Sequence, residues 1–101
     1  MLTPEKKVKN QVVNVLKSFG AYYFYPVAGG YGVSGVPDIV GCYKGKFFAI
    51  ECKAGKGKTT ALQDKHIAQI IGQGGYAIVV NESNIEDVNE LIMEIHDERT
   101  T

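Results

Sequence analysis

Three ionisable residues, Asp38, Glu51 and Lys53, stand in the apolar runs Pro37–Tyr43 and Lys46–Lys53. Charges seldom occupy such surroundings unless they are paired or bound to a metal. In an extended strand, residues two apart share a face, so Glu51 and Lys53 project together while Cys52 points into the opposite layer. Lys44-Gly45 has the form of a tight hairpin turn. That turn folds the first run back along the second and brings Asp38 opposite the Glu51–Lys53 region. The two carboxylates offer hard oxygen ligands for Mg²⁺, which can polarise a phosphodiester and acidify an attacking water. Lys53 can orient that water or offset charge developing on the phosphate. For an isolated Glu-x-Lys, a common tripeptide, a buried or rim salt bridge that fixes strand register is the stronger explanation. The Gly-Val-Pro-Asp at hairpin distance favours the chemical reading.

These residues need a sheet and helices to hold them. Thr3-Pro4-Glu5 is a helix start, with a capping hydroxyl, a proline where one is tolerated and an acid at the positive end of the dipole. Val8, Val12, Val15, Leu16 and Phe19 recur at helical spacing, so a helix is predicted from about Pro4 to Phe19, closed by Gly20, with Lys6, Lys7, Lys9 and Lys17 on its wet side. Tyr22–Tyr25 reads as a strand stopped by Pro26. Ala28–Gly35 is too rich in glycine for a regular element. The two hairpin strands follow, apolar on both faces, as a sheet covered on two sides requires. Thr59 or Thr60 caps a helix reaching about Gly72, with Leu62, Ile67, Ile70 and Ile71 inward. Tyr76–Val80 is a short buried strand. Ser83 or Asn84 opens a last helix along Ile85, Val88, Ile92 and Ile95, with a tail fraying after Asp97. The order is α-β-β-β-α-β-α.

The stretches Gly35-Val36-Pro37-Asp38-Ile39-Val40, Phe48-Ala49-Ile50-Glu51-Cys52-Lys53 and Leu62-Gln63 together resemble the PD-(D/E)XK nuclease superfamily. Its VRR-NUC family, including stand-alone phage and bacterial members, is the nearest resemblance, which spans Glu5 to about Val80. It implies a restriction-endonuclease-like αβββαβ core, a mixed four-stranded sheet flanked by helices, here with a C-terminal helix added. It also implies a Mg²⁺-dependent DNA endonuclease, with Mn²⁺ as a substitute. Asp38 and Glu51 then hold the metal, Lys53 assists catalysis and Gln63 lies beside the site. A first-helix acid commonly joins such centres, which makes Glu5 a further metal and catalytic candidate, although the helix dipole alone accounts for an acid there. The residue between Glu and Lys is often Val in the family. Here it is Cys52, a side chain that faces away. Stand-alone members resemble homodimers that cut branched DNA such as four-way junctions, so branched DNA and a second copy of the chain are the expected partners.

Other residues carry weaker signals. Ser34, Lys56 and Lys58 are candidates for nucleic-acid contact, each equally at home in a solvated loop. His66, one turn beyond Gln63, is expected to be an ordinary surface histidine. Tyr22, Tyr23 and Tyr25 suit core or dimer packing better than base stacking. Cys42 and Cys52 lack zinc spacing and are expected to be buried free thiols.

The 101 residues, 45% of them hydrophobic, fit one domain. No apolar run approaches a membrane span, and the Lys-rich start leads into a helix rather than a signal segment, which implies a cytoplasmic protein of a bacterium or phage-infected cell. Net charge is zero, but residues 1–65 carry ten lysines against four acids and the remainder one arginine against seven acids, a split of +6 and −6. The zero net charge argues against a chain that simply coats nucleic acid, while the split suits a basic side facing a phosphate backbone and, equally, two oppositely charged solvated faces. Two other functions fit the same residues: a module of this fold that binds DNA without cutting it, and a restriction-like duplex endonuclease.

Overall fold

The computed structural model describes residues 2–27 and 33–100. Its elements are α1 (Pro4–Phe19), β1 (Tyr22–Phe24), β2 (Ile39–Tyr43), β3 (Lys46–Cys52), α2 (Ala61–Gly72), β4 (Tyr76–Val80) and α3 (Glu86–Thr100). The predicted order is observed, and α3 continues past Asp97. The strands form one sheet in the order β1-β2-β3-β4, antiparallel except for the parallel β3–β4 pair that α2 connects.

Local chemistry explains why the elements begin and end where they do. The Thr3 hydroxyl accepts the Lys6 N–H at 3.2 Å and caps α1. Lys44 and Gly45 both adopt positive φ, as a two-residue hairpin turn requires. Tyr43 therefore pairs with Lys46 and Ile39 with Ile50. Gly41 is required by packing, because a side-chain carbon there would run into the Tyr22 carbonyl and the Phe48 ring. Only glycine lets β1 lie against β2 over that ring.

The core fills one face of the sheet. Val8, Val12, Val13 and Leu16 of α1 and Val88, Leu91, Ile92 and Ile95 of α3 pack with Ile39, Phe48, Ile50, Cys52 and Val80. The second face departs from expectation. Alternation along β3 turns Phe47, Ala49 and Glu51 the other way, and α2 covers that face only over β3 and β4. No residue of α2 is buried, and Leu62 and Ile71, expected inward, are about half exposed. Beyond α2, the cross-strand row Tyr22–Cys42–Phe47 lies open. Tyr22 is 68% exposed and Phe47 45%. Cys42, expected to be buried, is exposed on this uncovered face. The helical periodicity of α2 is real, but this chain supplies too little surface opposite it to bury the stripe. Cys52 is buried as expected, and Tyr23 packs against the core.

Candidate active site

The hairpin register puts Asp38, one residue before β2, beside the end of β3. Its Oδ2 accepts the Cys52 backbone N–H at 2.8 Å. The Lys53 N–H donates to the Val80 carbonyl at 2.8 Å, extending the β3–β4 ladder past Glu51. Both sides of the Glu51–Lys53 pair are thus held by backbone. Lys53 Nζ lies 3.2 Å from Glu51 Oε2.

α2 reaches the same oxygen. Gln63 is the third residue after the Thr60 cap and completes a capping box, its Oε1 accepting the Thr60 N–H at 2.9 Å. Its Nε2 donates to Glu51 Oε2, also at 2.9 Å. One side chain therefore fixes the start of α2 and orients the carboxylate. Glu51 is only 2% exposed, and its second oxygen, Oε1, is buried with no hydrogen-bond partner.

From the α1 side comes Glu5. One oxygen of each of Glu5, Asp38 and Glu51 lies within 4.8 Å of the other two. Burial foremost, then the neighbouring Asp38 charge, raises the Glu51 pKa to about 7 against the opposing pull of Lys53. The Cys52 thiol is pushed up to about 12 by burial and by the same carboxylates, which makes it an inert packing group. A Lys53–Glu51 salt bridge alone would leave Oε1 orphaned and three acids crowded together. A divalent cation resolves both, and hard oxygens at this spacing suit one.

The remaining candidates are placed differently. Lys56 and Lys58 are exposed on the segment between β3 and α2. Ser34 is exposed, and its carbonyl lies 3.0 Å from Nε2 of His66. His66 is thus a half-buried tie between α2 and the segment leading to Asp38, more than a free surface histidine. Beside it Gly35 abuts Leu62, where any added side chain would collide with the helix. Residues 28–32 of the expected glycine-rich loop lie outside the described residues. Helical periodicity puts Lys6 and Lys9 on the wet side of α1, and Lys6 is exposed while Lys9 is half-buried. In the structure both line a cavity of about 190 Å³ with Thr3, Glu5, Asp38 and Cys52. Their spacing from Glu5 was the available signal, but helical periodicity does not say what the end of a helix faces.

Comparison with known families decides what this arrangement belongs to. A sequence model of the family described as archaeal Holliday junction resolvase (Hjc) matches residues 6–89. The chain belongs to the Hjc family. Membership makes it a nuclease, and the match contains Asp38, Glu51, Lys53 and Gln63 while beginning one residue after Glu5. Among solved structures, a chain titled "VRR_NUC domain" superimposes with a TM-score of 0.70 over 91% of this chain and 97% of its own, at 20% identity. That similarity shows that the Hjc-family chain has the restriction-endonuclease-like fold. Comparison with the curated proteins returns no match.

The raised Glu51 pKa has a thermodynamic consequence. Between its ordinary value near 4.5 and its folded value of about 7, native Glu51 keeps a proton that the unfolded chain has released. The native state then binds more protons, so stability falls as pH rises. Melting midpoints of metal-free protein in EDTA are expected to fall across that window relative to Glu51→Gln, and to level off above it. A difference that is flat or rises with pH would contradict the assignment. Adding Mg²⁺ or Mn²⁺ above pH 7 should raise the wild-type midpoint.

Proposed function

We propose that this nuclease is a Mg²⁺-dependent DNA endonuclease that hydrolyses phosphodiester bonds in branched DNA. The observation that carries the reading is the convergence of Glu5, Asp38 and Glu51 around a buried, unpartnered carboxylate oxygen with Lys53 alongside. Asp38, Glu51 and Glu5 would hold the metal. When bound, a divalent cation supplies Lewis-acid polarisation of the phosphodiester and a more acidic water.

The chain's own groups do the rest. The Cys52 N–H and the Gln63 amide fix the two central carboxylates before substrate arrives, so little reorganisation is needed at the moment of reaction. Lys53, 16% exposed at its side chain, can donate to the attacking water or to a phosphate oxygen. The basic half of the sequence supports a DNA substrate, and membership of a family described as Holliday junction resolvases favours branched DNA. No helix among the described residues is long and apolar enough to cross a membrane.

Two copies of the chain suit incision of two strands. The open sheet face carrying Tyr22, Phe24 and Phe47 supports a homodimer, because exposed apolar side chains grouped on one face usually mark a contact surface. Light scattering is expected to give twice the chain mass for wild type and the single-chain mass for Phe47→Glu. A wild-type monomer at micromolar concentration would exclude the dimer.

Cleavage is tested on labelled four-way junction, flap and linear duplex with Mg²⁺ or Mn²⁺. Wild type is expected to cut the branched substrates. Asp38→Ala, Glu51→Ala and Lys53→Ala should each lower the rate by about a hundredfold or more, by analogy with loss of a preorganised electrostatic group. Gln63→Ala should cost about 10- to 100-fold in metal affinity. Undiminished cutting by the three central variants would rule out this site.

A further inference from the structure

Glu5 and Lys9 stand one helical turn apart on α1, with the acid nearer the N-terminus, the spacing and order that most favour an ion pair on a helix surface. Among the described residues they form none. The Glu5 carboxylate lies instead with Asp38 and Glu51. The Lys9 ammonium lies over the Tyr25 ring, 4.5 Å from its centroid. Both residues nevertheless line one cavity, whose walls also include Lys6, Asp38, Thr3 and Cys52.

The lining therefore combines two kinds of charge, the acids Glu5 and Asp38 and the lysines Lys6 and Lys9. The acids suit a cation. Neither lysine has a carboxylate ion-pair partner among the described residues, and the aromatic ring supports Lys9 without consuming all of its N–H donors. An exposed cation–π contact contributes only about 0.5–1 kcal/mol, enough to bias where the ammonium rests and too little to withhold it from an anion. The ligand with complementary chemistry is a phosphodiester, whose oxygens can meet a cation on one side and accept charge-assisted hydrogen bonds on the other.

We infer that this cavity is a phosphodiester-binding site in which Lys9, steadied by Tyr25, grips the DNA backbone beside the carboxylate cluster, with Lys6 at its rim. The inference rests on the nuclease reading above and adds the contact that would hold the strand in place. It adds a backbone contact on the first turns of α1 to those expected of Lys56 and Lys58.

The test is equilibrium binding of the intact protein to fluorescent four-way junction and duplex DNA in EDTA, which separates binding from cutting, at several salt concentrations. Lys9→Gln is compared with Lys9→Arg and with Lys44→Gln. Lys44 is a matched control: its ammonium lies 5.7 Å from the Tyr43 ring centroid, but at the hairpin turn, the far end of β2 and β3 from Asp38. Loss of one phosphate contact should weaken binding by Lys9→Gln at every salt concentration and lower the slope of log affinity against log salt by about 0.9. Lys9→Arg should keep the wild-type slope, and Lys44→Gln should leave it unchanged. Mn²⁺ affinity measured by calorimetry should be the same in Lys9→Gln as in wild type, which also shows that the site is folded. A Lys9→Gln slope equal to wild type would overturn the inference. So would altered Mn²⁺ affinity with an unchanged slope, which would make Lys9 a counterion of the carboxylates. Wild-type protein that binds neither DNA would overturn the nuclease reading together with this site.

Discussion

Three carboxylates share one end of a sheet in this protein, one of them almost completely removed from water. Like charges at this separation repel, and burial withholds the solvation that would relieve them. Much of the nearby structure answers that constraint. The Cys52 N–H is spent on Asp38 rather than on another backbone group, and Lys53 and Gln63 both converge on Oε2 of Glu51. What they leave unsatisfied is Oε1. A centre so arranged costs stability while empty and gains it when a cation binds, a common relation between functional sites and the folds that carry them.

The fold serves this centre by setting register. A one-residue slip of the β2–β3 hairpin would send Glu51 and Lys53 to the core face and bring Cys52 to the site. The Lys44-Gly45 turn, the side-chain-free contact at Gly41 and the parallel pairing with β4 each oppose such a slip. The two helices that reach the centre bring it their N-terminal turns. α1 contributes Glu5 and the lysines, and α2 contributes Gln63 through the same side chain that closes its capping box.

Much of this was legible in the sequence because it depends on short-range geometry. The alternation of a strand puts Glu51 with Lys53, the two-residue turn sets which residue Asp38 meets, and Thr60 followed by Gln63 has the spacing of a helix start. What was not legible depends on surfaces that meet across the fold or beyond it. The apolar stripe of α2 looked like core, yet Leu62 and Ile71 remain about half exposed, because amphipathicity records that a face is sticky and not whether the partner lies in the same chain. Cys42 was misjudged for the same reason. Lys9 looked like one more solvated helix lysine, since only the tertiary placement of Tyr25 and Asp38 gives its direction a meaning.

Charge is arranged to match. Lys6 and Lys9 line a cavity with Glu5 and Asp38, and Lys53 pairs with Glu51, while much of the acidic excess of the chain lies along α3, so the field near the centre can favour an approaching polyanion although the net charge is zero. The arrangement makes sense only with a cation. The most direct measurement is anomalous diffraction from crystals soaked in Mn²⁺. A peak bounded by Glu5, Asp38 and Glu51 is expected, with Glu51 Oε1 among its ligands. Fully soaked crystals with no peak there, or with Mn²⁺ bound only elsewhere, would contradict it.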